Sequence, residues 1–261
     1  MTDGQPNAEM EAAGYREVLL LLDAIDDFMP RYRALQVRPG SALSRADEKT
    51  DYAPISTQVG WQLQIAADHM KAFARLVRDG GQLPHYSGYV LIRASLEACA
   101  TALWIFGPGK PAPRILRSLQ LSWWSAQEAN RFASAVGFDG ETGNAETLAY
   151  LEQLRMGVKE LRQSNLDVTQ ISRTNMFLDV ERRFPYPKKL TPLHVWRVCS
   201  SLAHGNSAMA VMALKREQID PEVPGNHFAR SSWALVSSFL RAAVWMFDRA
   251  VERFEELAKA P

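Results

Sequence analysis

The sequence predicts an all-α protein, and three observations support this fold class. Apolar residues recur at three- and four-residue spacings through nearly every long segment, which is the period of an amphipathic helix. No pair of segments has the alternating pattern of paired strands, and only residues 208–214 form an apolar run compatible with either state. No internal repeat of roughly 20 to 50 residues indicates a solenoid. We therefore expect a helical bundle in a single domain.

The N-terminal part is expected to lie outside the main bundle. Residues 1–12 are acidic and polar, lack the basic and apolar regions of a secretory signal, and are expected to be a disordered tail. Residues 13–82 are expected to form a helical hairpin that packs on the core, with helices over 15–35 and 55–79. The predicted buried stripe of the second helix consists of Trp61, Ile65, His69, Ala72, Phe73 and Leu76.

Residues 83–261 are expected to form the bundle itself. Helices are predicted over 86–106, 113–135, 145–163, 169–183, 192–204 and 228–259. The Phe-Pro-Tyr-Pro segment at 184–187 predicts an extended connection, because each proline disfavours the helical conformation in the residue before it. The helix that follows is expected to begin at Thr191 as N-cap, with Pro192 in its first turn, and to end at Gly205.

Charge and cysteine content restrict the partners. The chain has 30 Lys and Arg against 29 Asp and Glu, so its net charge of +1 gives no overall field for DNA or an anionic membrane, and we expect neither as a partner. The two cysteines belong to no CxxC pair or disulfide framework, which indicates a reducing cytoplasm. The most apolar segments, 89–106 and 233–247, carry charged residues and are expected to be buried helices of a soluble protein.

Several common catalytic signatures are missing from the sequence. The five histidines include no HExxH motif and no pair one turn apart, so no metal site is expected. Residues 107–110, Gly-Pro-Gly-Lys, lack the preceding strand and the Ser or Thr of a phosphate-binding loop. No GxSxG motif supports Ser/His/Asp catalysis. We therefore expect a protein without a metal or cofactor.

Two charged residues lie within the apolar helix at 89–106. Arg93 and Glu97 are one turn apart, and charged groups in such a surface are rarely buried without a partner. Glu97 is expected to pair with Arg93 or with Arg117 of the next helix. Such a pair either fixes the register of two helices or lines a polar cleft at the functional site.

The segment RVCSSLAH, residues 197–204, carries the strongest candidate for chemistry. Seven residues rotate an α-helix by about 700 degrees, so Arg197 and His204 lie within about 20 degrees of each other, with Ser200 and Ser201 between them. A guanidinium with an imidazole suits a phosphate, because arginine is a permanent forked donor and histidine exchanges protons near neutral pH. The spacing itself is expected by chance roughly once in this chain. The alternative is that His204 is a structural C-cap.

The chain resembles the HEPN superfamily of small helical bundles over roughly residues 58–256. The resemblance rests on the apolar helix LIRASLEACATALW with its R-x3-E pattern, on RVCSSLAHG with its late S-x3-HG helix end, and on the long last helix. It implies a bundle of four to five core helices, often dimeric. Its active members are metal-independent ribonucleases with an Arg-x4–6-His motif at a cleft between protomers. Those members have Asn, Asp or His directly after the arginine, where this chain has Val198.

The resemblance also implies roles for individual residues. Arg197 would bind or stabilise the scissile phosphate, and His204 would act as general acid or base on the ribose 2′-hydroxyl, giving 2′,3′-cyclic phosphate and 5′-hydroxyl ends. The expected substrate-binding or supporting residues are Ser200, Ser201, Asn206, Arg93, Glu97 and Arg117. We expect a cytoplasmic homodimer of toxin or defence type that cleaves RNA and is controlled by an antitoxin or inhibitor protein.

The alternative hypothesis is a non-catalytic helical dimer that binds a protein or small ligand. In that case Arg197 and His204 are structural polar groups, buried with internal partners. Catalysis instead requires both side chains to be accessible in one cleft.

Overall fold

The computed structural model describes residues 6–138, 141–167, 171–218 and 227–260, and it confirms the all-α class. The helices of this part of the chain are α1 (Ala8–Arg33), α2 (Ala42–Asp47), α3 (Ile55–Gly80), α4 (Ser87–Phe106), α5 (Pro111–Ala135), α6 (Glu141–Gly157), α7 (Arg173–Arg183), α8 (Pro192–Ala203), α9 (Ser207–Ala213) and α10 (Trp233–Ala258). A short 3-10 helix, Lys159–Leu161, follows α6.

Helix α4 lies at the centre of the fold. It packs along α3 on one side and along α10 and α8 on others, with α7 and α5 near its C-terminal half. Of the described helices, α4 alone is long and apolar enough to cross a membrane, with a mean hydropathy of 1.4, but 67% of that window is buried inside the protein. Burial of this kind is typical of the core helix of a soluble protein.

The N-terminal helices are integrated into the bundle. Helix α1 begins at Ala8, with Asn7 as its N-cap, so residues 8–12 of the expected tail are helical; residues 1–5 of that tail lie outside the described part. The predicted hairpin over 13–82 differs in its packing, because α1 lies mainly along α10 and α3 mainly along α4. Each helix of the pair therefore buries its apolar face against the central bundle and only a little against the other.

The apolar face of α3 differs from the prediction. Trp61, Ile65 and Leu76 are exposed, and of the six predicted residues only Phe73 is buried. The buried stripe consists of Ile55, Gln58, Val59, Leu63, Ala66, Ala67, Met70, Phe73, Ala74 and Val77. Both stripes have helical spacing, so periodicity alone did not distinguish the core face from the solvent face.

A pair of strands also departs from the prediction that the chain has none. Strand β1 (Lys215–Gln218) pairs antiparallel with β2 (His227–Arg230), in the register Lys215 to Arg230. The two four-residue segments, KREQ and HFAR, are short and mostly polar, and they lack the alternation that marks a strand in sequence. The ambiguous run 208–214 is helical as α9 over most of its length.

Candidate active site

The boundaries of α8 agree with the prediction. Thr191 has extended N-cap geometry, and its backbone N–H donates to Nδ1 of His194 at 3.4 Å. At the other end Gly205 adopts φ +70°, and its N–H and that of Asn206 donate to the carbonyls of Leu202 and Ser201. This is a Schellman motif, in which backbone groups satisfy the last carbonyls of the helix.

Because the backbone caps α8, the His204 imidazole is not used as a C-cap. The side chain is exposed, and its Nε2 lies 3.3 Å from Nη1 of Arg93. An arginine can only donate, so Nε2 must accept, and the imidazole in this geometry is neutral with its proton on Nδ1. The contact joins the end of α8 to the side of α4.

Arg93 is itself held by a carboxylate. Its Nε donates to Oε1 of Glu97 at 2.8 Å, one turn along α4, which confirms the predicted pair. The same oxygen accepts a hydrogen bond from Nε1 of Trp196 at 2.7 Å. The indole of Trp196 stacks on Phe177 of α7, with ring centroids 5.2 Å apart. The positions of Arg93 and, through it, His204 are therefore fixed by packing across three helices.

Arg197 extends from the exposed side of α8. Its side chain is exposed, and no carboxylate pairs with it among the described residues. The guanidinium of Arg93 thus lies beside His204, and that of Arg197 lies two turns earlier on the same helix, about 10 Å along its axis. Because arginine is charged at any physiological pH, this region can attract an oxyanion.

The remaining predicted residues of this segment have mixed roles. Ser200 and Ser201 are partly buried on α8 between Arg197 and His204, while Oδ1 of Asn206 accepts from the N–H of Met209 and caps α9. Val198 is partly buried and packs against the hydrophobic core. Its apolar side chain therefore has a packing role at the position after Arg197.

Arg117 does not belong to this cluster, which corrects its expected role beside Glu97. Its Nη1 lies 2.8 Å from Oδ2 of Asp179, and its guanidinium stacks 5.0 Å from the Trp104 ring centroid. Trp104 is eleven residues beyond Arg93 on α4, about 16 Å along the helix axis. Arg117 is therefore part of a separate ion cluster around Asp179.

Among the described residues, no group of three His, Cys, Asp or Glu side chains is arranged to hold a metal ion. Cys99 and Cys199 are buried and free, and burial raises the pKa of both thiols, so neither is a ready nucleophile.

An apolar hollow lies beside His204. It has a volume of about 480 Å³ and is lined by residues of α4, the end of α8 and α9, among them Tyr86, Val90 and Val211. Helix α9 has no buried residue, and Met212 is 80% exposed. A large apolar surface thus borders the basic region.

Trp196 is a member of the site that sequence reasoning missed. Its position on an apolar helical stripe predicts a core or interface residue, yet its indole N–H holds Glu97. The sequence carried only a general signal, that an indole N–H usually finds an acceptor when it is buried, and it did not place Glu97 beside Trp196.

No protein-family model matches the chain, and no curated protein or solved structure is similar to it at a significant level.

Proposed function

We propose that the protein is a HEPN-like, metal-independent endoribonuclease of the toxin or defence type, acting in the cytoplasm. One observation carries the proposal: the exposed His204 lies 3.3 Å from the guanidinium of Arg93, and Arg197 stands exposed on the same helix without a described carboxylate partner. Two permanent cations beside a neutral imidazole suit phosphodiester chemistry without a metal.

In the proposed reaction the scissile phosphate accepts hydrogen bonds from Arg197 and Arg93. The phosphate draws Nη1 of Arg93 away from His204, which frees the Nε2 lone pair to take the proton of the ribose 2′-hydroxyl. The 2′-oxygen then forms a bond to phosphorus, and the bond from phosphorus to the 5′-oxygen breaks. Water supplies a proton to that oxygen, and the protonated His204 returns its proton to the resulting hydroxide. The arginines stabilise the charge that develops on the phosphoryl oxygens.

Glu97 and Trp196 are positioning residues, which hold the guanidinium of Arg93 in place and do not contact the substrate. Glu97 binds Nε of Arg93, which leaves the Nη groups for the substrate, and Trp196 fixes the carboxylate. Ser200 and Ser201 lie between the two catalytic residues, where a hydroxyl can donate to a phosphate oxygen.

We also propose that the active form is a homodimer. The apolar hollow beside His204 and the exposed face of α9 support a second copy of the chain as the partner, because apolar surface of this extent is rarely left to water. An inhibitor protein would use the same surface if it controls the enzyme.

A non-catalytic binding module is the second candidate. It is favoured by one observation, that Arg93, Glu97, Trp196 and His204 already satisfy one another through hydrogen bonds. In that case the cluster holds α4 and α8 together, and the protein leaves RNA intact.

The test is RNA cleavage in EDTA by the wild type, His204→Ala and Arg197→Ala. His69→Ala is the matched control, since His69 lies on α3 and its Nδ1 contacts the carbonyl of Ile65 on the same helix. We expect cleavage by the wild type and the control, and a loss of about a hundredfold or more with either site variant. Intact RNA with the wild type, or equal cleavage by His204→Ala, would rule out the nuclease.

A further inference from the structure

A second cavity lies about 12 Å further along α4 than the His204 contact, between α3, α5 and α7. It has a volume of about 520 Å³, within the range of small-molecule sites. We call it the α3/α5 cleft. The residues that matter for its chemistry are Tyr52, Gln58, Trp61, Trp124, Thr101 and Arg173.

Aromatic side chains form the walls of this cleft. Trp61 of α3 is 57% exposed at its edge, Trp124 of α5 is half-buried, and Tyr52 is held edge-on against Tyr150 at 6.5 Å between ring centroids. Large aromatic rings are usually buried, because each can remove roughly 150 to 250 Å² from water, so a considerable aromatic surface remains for a partner. The two indoles offer aromatic surface against which a planar ring can pack.

The cleft also contains a cation, Arg173, that pairs with no carboxylate in the described part of the chain. Nη1 of Arg173 donates to Oγ1 of Thr101 at 2.9 Å, which anchors the guanidinium to α4. Its Nε and Nη2 have no hydrogen-bond partner among the described residues, and the residues that line the cleft include no acidic side chain. Arg117, by contrast, is paired with Asp179. A fixed, unpaired guanidinium in a partly enclosed cavity is suited to bind a carboxylate.

The floor of the cleft has an unsatisfied acceptor. Gln58 is 5% exposed, and its Nε2 donates to the carbonyl of Ala53 and to Oγ of Ser118, both at 2.7 Å. Its Oε1 is buried and has no described hydrogen-bond donor. The Nε2 group also lies 3.2 Å from Oγ of Ser122. Because Oε1 is closed to solvent, no ligand contact is assigned to it.

The aromatic lining and the guanidinium select one class of ligand. We propose that the α3/α5 cleft binds a planar aromatic carboxylate. The ring packs against Trp61 and Trp124, and the carboxylate pairs with Arg173. The site is separate from the proposed nuclease centre and does not depend on RNA cleavage.

The experiment is isothermal titration calorimetry of the full chain with indole-2-carboxylate as the probe. Two matched compounds separate the contacts: indole-2-carboxamide lacks the charge, and benzothiophene-2-carboxylate keeps the charge and the planar ring without the N–H. We expect the probe and benzothiophene-2-carboxylate to bind alike and the amide to bind about tenfold more weakly, since one such contact corresponds to roughly a factor of ten in affinity.

Variants assign the contacts to residues. Arg173→Gln is expected to bind the acid and the amide equally, and Trp61→Ala to weaken all three compounds by about tenfold. Trp61 is exposed, so its removal leaves the core intact, and Arg249→Gln on α10 is the control that should bind as the wild type does. No heat of binding with the probe, equal affinity for the acid and amide in the wild type, or unchanged binding by both site variants overturns the proposal.

Discussion

His204 owes its chemical availability to the two residues that follow it. The N–H groups of Gly205 and Asn206 cap the carbonyls of α8, which a helix-end histidine would otherwise be free to bond. The imidazole therefore meets Arg93 of α4 instead, 3.3 Å away. By its position in the sequence, His204 was compatible with capping and with catalysis. In the structure its side chain instead contacts the cation of Arg93 on an open surface.

Glu97 is expected to be the main stabilising residue of this cluster. Glu97→Ala leaves the indole N–H of Trp196 and the Nε of Arg93 without their acceptor, so it should lower the free energy of unfolding by about 1–3 kcal/mol. Urea unfolding measures the change. Glu128→Ala removes an exposed one-turn pair with Arg131 and should cost less than about 0.5 kcal/mol. Equal losses in the free energy of unfolding for the two substitutions would contradict the stabilising role of Glu97.

Asp179 is the centre of the second charge cluster. Burial by itself would raise the pKa of this carboxyl, but hydrogen bonds and charges from Arg183 and Arg117 lower it below its usual value, and Arg182 contributes a further contact. A depressed pKa in the folded state stabilises the protein above the pKa of the unfolded state. That contribution is lost as pH falls through the folded-state value.

Asp179→Asn should therefore make the free energy of unfolding less dependent on pH in the acid range. The wild type is expected to lose stability as pH falls below about 4, and the variant, already less stable at about pH 7, should lose less over the same interval. Urea midpoints at neutral pH and in the acid range measure this. Asp27→Asn, at an exposed position, should keep the wild-type dependence. A variant that responds to acid as strongly as the wild type would contradict the role of Asp179.

Part of the candidate site follows from the sequence. The pairing of Arg93 with Glu97 is predicted by their spacing of one turn, since such residues are neighbours on a helix surface. The position of Arg117 is not predicted by the sequence, because a sequence gives no distances between helices. Trp196 has the same pattern as a core residue, so its hydrogen bond becomes visible only once α8 is packed on α4.

At the level of elements, the ends of α8 followed from the sequence, whereas the buried face of α3 did not. Thr191, Pro192 and Gly205 define α8 because capping depends on local backbone geometry. The buried face of α3 depends on which neighbour covers it, and its two apolar stripes are both periodic. The β1–β2 pair has four-residue strands with little apolar pattern, so its pairing depends on tertiary context.

The contact between α1 and α10 depends on a glycine. A Cβ at Gly14 would lie 2.4 Å from the backbone nitrogen of Ala234, a group that cannot move aside as a side-chain end can. Gly14→Ala should lower the free energy of unfolding by about 1–3 kcal/mol through this overlap. At Gly60, inside α3, a Cβ would meet no atom within 4 Å, so Gly60→Ala should raise stability by up to about 1 kcal/mol. Thermal or urea unfolding of the two variants measures both changes in the free energy of unfolding. A Gly14→Ala variant as stable as the wild type would contradict the close packing of these helices.

In the molecule as a whole, α4 connects the two proposed sites. Arg93 contacts His204, and Thr101, eight residues later and about 12 Å along the axis, contacts Arg173 in the α3/α5 cleft. Glu97 lies between them and accepts the hydroxyl hydrogen bond of Thr101 through its backbone carbonyl. One buried helix thus positions a polar group for each site.

The proposed homodimer has a direct test. Met212 is 80% exposed on α9 beside the hollow, so Met212→Asp should convert the dimer to a monomer without affecting the fold. Leu20→Asp is the control, since Leu20 is 69% exposed on α1. Light scattering after size-exclusion chromatography gives the masses. We expect a dimer for the wild type and the control and a monomer for Met212→Asp; a monomeric wild type, or a dimeric Met212→Asp, would contradict this interface.

The central claim is tested most directly by the termini of the RNA fragments that the wild type produces in EDTA. Attack by the 2′-hydroxyl, with His204 as base, requires a 2′,3′-cyclic phosphate on one fragment and a 5′-hydroxyl on the other. The 5′ ends should then accept a labelled phosphate from polynucleotide kinase without prior phosphatase treatment, and mass spectrometry should detect the cyclic phosphate. Fragments with 5′-phosphate and 3′-hydroxyl ends, or the absence of any fragments, would contradict the account.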